Sequence, residues 1–201
     1  MSRLIIIGAS ALGREVFTYA QESGLEVKGF LDSRENILDC YSGYPPILGN
    51  VESWRPSNDE IYICACGSPD VKFRYSNMLK NVKWGRIVHP TAYIGSNVYI
   101  GEGSIISPYA TIGNDTKVGK HVLIRPHVHV AHDCRIGDYV SVSPSCTIGG
   151  WCVMSDGVFM GIQSLLVPHV NLGDSVIVAA GAVVTKSFES GLLMGVPAKT
   201  K

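Results

Sequence analysis

The sequence predicts an α/β unit over residues 1–87, followed over residues 88–201 by an all-β parallel solenoid of about five coils. Two observations predict it. Residues 88–183 divide into sixteen consecutive six-residue units without one insertion. The residues before them show short apolar runs that alternate with helical patterns around a glycine turn.

In the repeat, every sixth residue from Val88 is aliphatic or Met: Ile94, Ile100, Ile106, Ile112, Val118, Ile124, Val130, Ile136, Val142, Ile148, Met154, Met160, Leu166, Leu172 and Val178. The fifth position is small throughout, from Ala92 to Ala182. A period of six fits neither a helix nor simple strand alternation. It is the signature of a β-helix whose short sides close three to a coil, so that a coil takes eighteen residues. Inward residues then stack on their equivalents one coil away, at roughly the ~4.8 Å spacing of paired strands. Cys134 and Cys152 are eighteen apart at the fifth position and are expected to stack as small apolar core residues.

The first unit begins with an apolar run over 3–8, as a buried parallel strand does. The turn Gly8-Ala9-Ser10-Ala11-Leu12-Gly13 is GxGxxG with Ser at the second glycine, and it opens a helix to about residue 22 that Gly24 is placed to stop. A second strand over 27–31 ends in Asp32, nineteen residues after Gly13, where a dinucleotide fold holds a ribose hydroxyl. A loop of polyproline character follows over 44–49. A third strand over 61–66 then runs into Gly67-Ser68-Pro69 and a helix over about 70–79. About three strands make a half-Rossmann-like unit, a size that suits a mononucleotide such as the nucleotide end of an activated sugar. Its phosphates would meet the helix N-terminus at Gly8, Ser10, Ala11, Leu12 and Gly13, with Asp32 and Gly67 beside them. Plain strand-to-helix packing accounts equally well for the glycine turn taken alone.

Lys plus Arg equals Asp plus Glu at 17 each, so no basic excess points to nucleic acid or an anionic membrane. No run is long and apolar enough for a membrane span, and the apolar run near the start is too short for a signal peptide. Six Cys with no CxxC or zinc-ribbon spacing read as reduced thiols, and the expected location is the cytoplasm.

Inward positions of a solenoid are committed to packing, so chemistry is expected at turns and outward positions. His121, His127, His129 and His132 fall within twelve residues. For a single exposed histidine the plain alternative is a solvated or intersubunit residue. His132 differs: Asp133 follows it, and Gly150 stands one coil later at the same repeat position. An imidazole beside an exposed glycine N–H is a base next to an oxyanion donor, as acyl transfer requires.

The chain resembles the hexapeptide-repeat acetyltransferases of bacterial surface sugars, which include sialic acid O-acetyltransferases and nucleotide-aminosugar N-acetyltransferases. The residues carrying this are Gly8-Ala9-Ser10 with Gly13, Phe30-Leu31-Asp32, Val88-His89-Pro90-Thr91-Ala92, His132-Asp133-Cys134-Arg135-Ile136-Gly137-Asp138 and Gly195-Val196-Pro197-Ala198-Lys199. The resemblance implies a left-handed coil and a homotrimer with acetyl-CoA bound between adjacent subunits. It implies His132 as general base, Asp133 as its orienting acid and Gly150 as the donor to the thioester carbonyl. Gly150, Ala180, Gly181, Lys186, Pro197 and Lys199 would hold the CoA. Ala180 stands where relatives often carry glycine, Leu12 where His or Phe is frequent, and Ser141 where some have a second histidine.

The leading expectation is acetyl transfer to an amino group of a nucleotide-linked aminosugar, without a metal. O-acetylation of a sialic acid or related hydroxyl is the nearest alternative. A zinc lyase similar to the gamma-class carbonic anhydrases would use the five-residue spacing of His127 and His132, but its third ligand position is Thr91. A non-catalytic binding solenoid is the remaining reading.

Overall fold

The computed structural model describes residues 3–201; residues 1 and 2 of the first unit lie outside the described residues. The first unit is a five-stranded parallel sheet: β1 (Arg3–Ile7), β2 (Val27–Leu31), β3 (Ile47–Gly49), β4 (Glu60–Cys64) and β5 (Lys83–Trp84), in the order β3-β2-β1-β4-β5. Helix α1 (Ala11–Glu22) connects β1 to β2, and α2 (Pro69–Met78) connects β4 to β5. Two strands are additions to the three expected. The polyproline-like stretch turns into the edge strand β3, because Phe30 N–H donates to Pro46 O and Asp32 N–H to Gly49 O. Residues before the solenoid form β5, which pairs with Ile61 and Tyr62. Both are two or three residues long, too short for a periodic pattern to register. Gly24, at φ +75°, takes the left-handed conformation that ends α1.

The solenoid consists of two-residue strands from β6 (Ile87–Val88) to β22 (Val183–Val184), with a closing pair β23 (Leu192–Met194) and β24 (Lys199–Thr200). They form three faces, taken in chain order, parallel throughout except that β24 pairs antiparallel with β23. The first face starts at β6 and carries eight strands with β23 and β24; the second starts at β7 (Tyr93–Ile94) and carries six; the third starts at β8 (Tyr99–Ile100) and carries five. Five coils would give five strands per face, so two faces exceed the expected count. The second face gains a sixth strand in β22, and the first gains a sixth in β21 (Ile177–Val178) and two more from the tail.

Strand partners are eighteen residues apart from Ile87↔Ile105 to Leu165↔Val183. The aliphatic first positions and small fifth positions are buried except in the first coil, where Val88, Ala92, Ile94 and Val98 are partly covered at the open end of the prism. The core also satisfies its own small polar groups. Five fifth-position hydroxyls and thiols donate to the carbonyl fifteen residues on, Ser104 to Gly119 at 2.9 Å, Thr116 to Ala131 at 2.9 Å, Cys134 to Gly149 at 3.2 Å, Cys146 to Gly161 at 3.0 Å and Cys152 to Val167 at 3.2 Å, while Ser164 donates back to Gly161 at 2.7 Å. Burial pushes the Cys134 thiol up to about 11, so it is a core residue and not a nucleophile.

The fourth position of nearly every unit turns the corner with positive φ, from Asn97 at +59° to Ser175 at +55°. The third and fourth positions therefore line three edges of the prism. His132-Asp133, Gly150-Trp151 and Pro168-His169 succeed one another on the edge between the second and third faces.

The α/β unit docks on the first face. Ile87, Ile105 and Leu123 point outward from that face into one cluster with Leu4, Ile6, Phe17, Phe30 and Ile63. Lys72 from α2 reaches the edge between the third and first faces, where its Nζ donates to His121 O at 2.8 Å and Val140 O at 2.9 Å. Desolvation drives the Lys72 ammonium down to about 7.

Candidate active site

On the edge between the second and third faces, the repeat turns at His132 because the third and fourth positions leave strand geometry there. His132 follows β13 (His129–Val130) and precedes β14 (Arg135–Ile136). Its Nδ1–H donates to Asp133 Oδ2 at 2.8 Å. A carboxylate only accepts, so this bond fixes the tautomer and leaves Nε2 with a free lone pair. Both side chains are about half-exposed, at 50% and 42%. The pair is therefore open to solvent.

The glycine expected one coil on is there. A Cβ built on Gly150 would lie 3.0 Å from His132 Cε1 and 3.1 Å from Nε2, so only glycine lets the ring sit against this backbone. At four third positions the N–H is taken by a side chain one coil later: Ser96 by Asn114 at 2.8 Å, Lys120 by Asp138 at 2.7 Å, Asp138 by Asp156 at 2.7 Å and Asp156 by Asp174 at 3.2 Å. Above Gly150 stands Pro168, which offers no such acceptor, and among the described residues the Gly150 N–H has none. An imidazole lone pair and an unused N–H thus share one edge. Trp151 closes one side of it, edge-on to His132 with ring centroids 4.5 Å apart and stacked on His169 at 5.0 Å.

The other histidines separate. His121 is buried at the domain seam, stacked on Tyr139 and edge-on to Trp84, and burial together with the Lys72 charge drives it down to about 4. His127 stacks on Tyr109 on the edge between the first and second faces. His129 meets Thr111 Oγ1 at 2.6 Å on the second face. Thr91, at the third-ligand position of the zinc reading, has its hydroxyl 2.8 Å from His89 Nδ1. Among the described residues no three His, Cys, Asp or Glu side chains converge as a metal-ligand set.

The expected CoA residues divide between edges: Gly150, and Lys186 between β22 and Phe188, continue the edge of His132, whereas Ala180 and Gly181 do not. Gly181 N–H donates to Ile162 O on the edge between the first and second faces, so Ala180 and Gly181 do not share an edge with His132 and Gly150. Space is open at Gly181, where an added Cβ meets nothing within 4 Å. Lys186 Nζ lies 5.4 Å from the Phe188 ring, and Lys199 is in the exposed strand β24.

In the α/β unit, Gly8, Ser10, Leu12, Asp32 and Gly67 line one cavity of about 370 Å3. Ala11 and Gly13 do not line it. Gly13 is buried where α1 crosses β1, and a Cβ there would collide with the Gly8 carbonyl; it serves close packing. Asp32 is inside the cavity but fully engaged. Oδ1 accepts Arg34 N–H at 3.1 Å and Nε at 2.9 Å, while Oδ2 accepts Ala9 N–H at 2.9 Å and Arg34 Nη2 at 3.0 Å. Burial pushes this carboxyl up, but the bonds from Arg34 and Ala9 outweigh it and hold it below the usual carboxylate range. Its four acceptor positions are filled, which leaves Arg34 as the group free to face a ligand. Arg34, Arg74 and Ser68 are lining residues that the sequence reading missed. Arg34 carries a local signal, two residues after Asp32; Arg74 and Ser68 have none until α2 is seen to start at the same cavity.

Comparison with known proteins places these two units. Residues 3–79 match the model of the PglD N-terminal domain, and residues 115–150 match that of the bacterial transferase hexapeptide (six repeats). The chain thus carries a PglD-type N-terminal domain followed by bacterial transferase hexapeptide repeats. Similar solved structures include the acetyltransferase domain of PglB from Neisseria gonorrhoeae FA1090, at 22% identity over 100% of both chains with TM-score 0.89. PerB from Caulobacter crescentus, solved with CoA and GDP-perosamine, is 24% identical over 100% of this chain and 98% of that one, with TM-score 0.88. WeeI from Acinetobacter baumannii AYE is 27% identical over 98% of each chain, with TM-score 0.86. An uncharacterized protein of Acanthamoeba polyphaga mimivirus, L142, is 26% identical over 99 residues, 49% of this chain and a fifth (20%) of that protein. No helix among the described residues is long and apolar enough to cross a membrane.

Proposed function

We propose that this chain transfers an acetyl group from acetyl-CoA to an amino group of a nucleotide-linked aminosugar, with residues 1–87 binding the acceptor and residues 88–201 carrying the chemistry. The carrying observation is the His132–Asp133 pair with the free Gly150 N–H against its ring. His132 Nε2 accepts the proton of the acceptor amine as nitrogen adds to the thioester carbonyl. Asp133 holds the imidazole tautomer and offsets the charge that forms on it. Gly150 N–H donates to the oxyanion. As the carbon–sulfur bond breaks, His132 returns the proton to the thiolate, so the products are the acetamide and free CoA.

The reading is supported by the similarity to PglB and PerB, the first solved also with acetyl coenzyme A and the second with CoA and GDP-perosamine. Gly150, Ala180, Gly181, Lys186, Pro197 and Lys199 are the residues we assign to CoA, and Gly8, Ser10, Ala11, Leu12, Gly13, Asp32 and Gly67 to the acceptor. The cytoplasm supplies acetyl-CoA and is the location that goes with this reading.

We infer that this chain acts as a trimer. In a three-faced prism the edge bearing His132 is opposite the first face, on which the acceptor unit of the same chain sits. Ala180 and Gly181, also assigned to CoA, lie on another edge, between the first and second faces. A second copy brings these together. Exposed Tyr93, Tyr99, Val153 and Trp151 on the second and third faces and their shared edge supply apolar surface for that contact.

His132→Ala tests the role of the base. Turnover of acetyl-CoA with the acceptor is expected to fall by about 10²–10⁴-fold, the range for loss of a positioned general base, with the thermal midpoint unchanged. Wild-type rates in the variant remove His132 from the mechanism, and acetyl found on oxygen in the product replaces the amine by a hydroxyl.

A further inference from the structure

Helix α2 carries one side of the cavity that contains Gly8, Asp32 and Arg34. Ser68 at its N-cap, then Val71, Arg74 and Tyr75 along one stripe, line that space. The apolar anchorage of α2 is at its other end, where Tyr75 and the capping Leu79 join the cluster of Ile7, Leu31 and Tyr62. Phe73 and Met78 are exposed, and the one buried side chain within the helix is Lys72, 1% exposed. Its Nζ is bonded to the carbonyls of His121 and Val140, which belong to successive coils of the solenoid. Further contacts run to one residue, Tyr139, whose hydroxyl is 3.1 Å from Ser76 Oγ and whose ring meets Phe73 edge-on.

A buried ammonium is a costly way to join two surfaces, because its desolvation opposes the contact and an apolar side chain of the same length would pack without that loss. What the charge adds is direction. Apolar packing is non-directional, whereas an N–H···O bond weakens steeply once it bends or stretches. Two such bonds, to carbonyls on successive coils, fix α2 both along the prism axis and across it. The residue before Lys72 lines the cavity, and so does the second residue after it, so any roll of the helix moves Val71 and Arg74 as well. We propose that Lys72 is a positioning residue for the acceptor: its bonds to the solenoid hold the N-terminal half of α2 where Ser68 and Arg74 meet the ligand. The affinity of one unit is thereby set by its seat on the other. The proposal rests on the nucleotide reading of the cavity.

Calorimetry with UDP, GDP and dTDP is run on the wild-type protein, on Lys72→Met, which keeps the length and loses the donors, and on Lys72→Arg, which keeps charge and donors. For the nucleotide that binds the wild type, Kd is expected to rise about tenfold or more in Lys72→Met and to stay within about threefold in Lys72→Arg. Amide exchange over residues 71–78 is expected to speed up about tenfold or more in the methionine variant, with the solenoid unchanged. A lysine that only stabilises the fold lowers the melting temperature and leaves the Kd of the folded protein alone, so an unchanged Kd in Lys72→Met overturns the proposal. An arginine variant that binds as weakly as the methionine one overturns it too. Weaker binding without faster exchange in α2 assigns Lys72 to direct contact with the ligand and removes the positioning role. If Lys72→Met does not fold, Lys72→Gln, too short to span both carbonyls, carries the same expectations. A wild type that binds none of the three nucleotides sinks the nucleotide reading and the positioning role with it, whereas a binding wild type with an unaffected variant sinks the positioning role alone.

Discussion

On the edge between the third and first faces, His121 is buried under Trp84 and Lys72; on the edge between the second and third faces, His132 stands half-exposed against Asp133. The two are eleven residues apart in one repeat and differ by one place within the hexad, fourth against third. That place decides the neighbour. The fourth position puts His121 face to face with Tyr139 one coil on, whereas the third puts His132 over the bare backbone of Gly150. Docking of the α/β unit then removes water from the first and leaves the second wet. A solenoid repeats its backbone, and what differs from edge to edge is what covers it.

The comparison breaks most easily at Gly150. Its backbone is outside the left-handed region, so Gly150→Ala adds no backbone strain, and the whole misfit falls on the His132 ring 3.0 Å away. Turnover is expected to drop by about 10- to 100-fold, as small displacements of a catalytic group do, with the melting temperature little changed; steady-state kinetics on the purified variant measures it. An unchanged rate would mean that the two edges do not differ in function.

The pH dependence of stability sharpens the other side. His121 titrates near 6.5 when unfolded and at about 4 when folded. Between those values the unfolded chain binds the extra proton, so stability falls as pH drops through that window and is fully present above it. His121→Phe keeps a ring against Tyr139 and removes the titration. Its chemical-denaturation stability should lose a component of up to about 3 kcal/mol of dependence between pH 6.5 and 4, while turnover at neutral pH stays at the wild-type level. A variant with the same acid sensitivity as the wild type assigns that sensitivity elsewhere.

The smallest effect belongs to His129, exposed on the second face beside Thr111. His129→Ala is expected to change stability by less than about 0.5 kcal/mol, as surface substitutions do, and to leave turnover unaltered. A large loss of activity would add His129 to the functional edge.

Much of the solenoid was legible, because its register is written in every sixth residue. The eighteen-residue period alone puts Cys134 beside Cys152 in the core and Gly150 against His132. The α/β unit was read less fully. β3 and β5 are too short to show a period, and they pair with strands fixed by contacts far away in sequence. Lys72 carries no signal in the sequence, yet it plugs carbonyls 49 and 68 residues further on. Asp32 reads as a free acid, yet Arg34 and Ala9 consume it. These outcomes depend on how one unit seats on the other, and no local pattern encodes that.

The eighteen-residue stacking has one more consequence, for how such a protein can change. Shifting His132, Asp133 and Gly150 together by one coil would rebuild the same trio on the same edge, about 4.8 Å along the axis, because adjacent coils sit at strand spacing. A shift that is not a whole number of coils would turn the group onto a different edge or off the turn positions. The distance from acceptor pocket to catalytic edge is therefore adjustable only in whole-coil steps, and an acceptor one sugar longer can be matched by transposition along the prism without redesign of the chemistry.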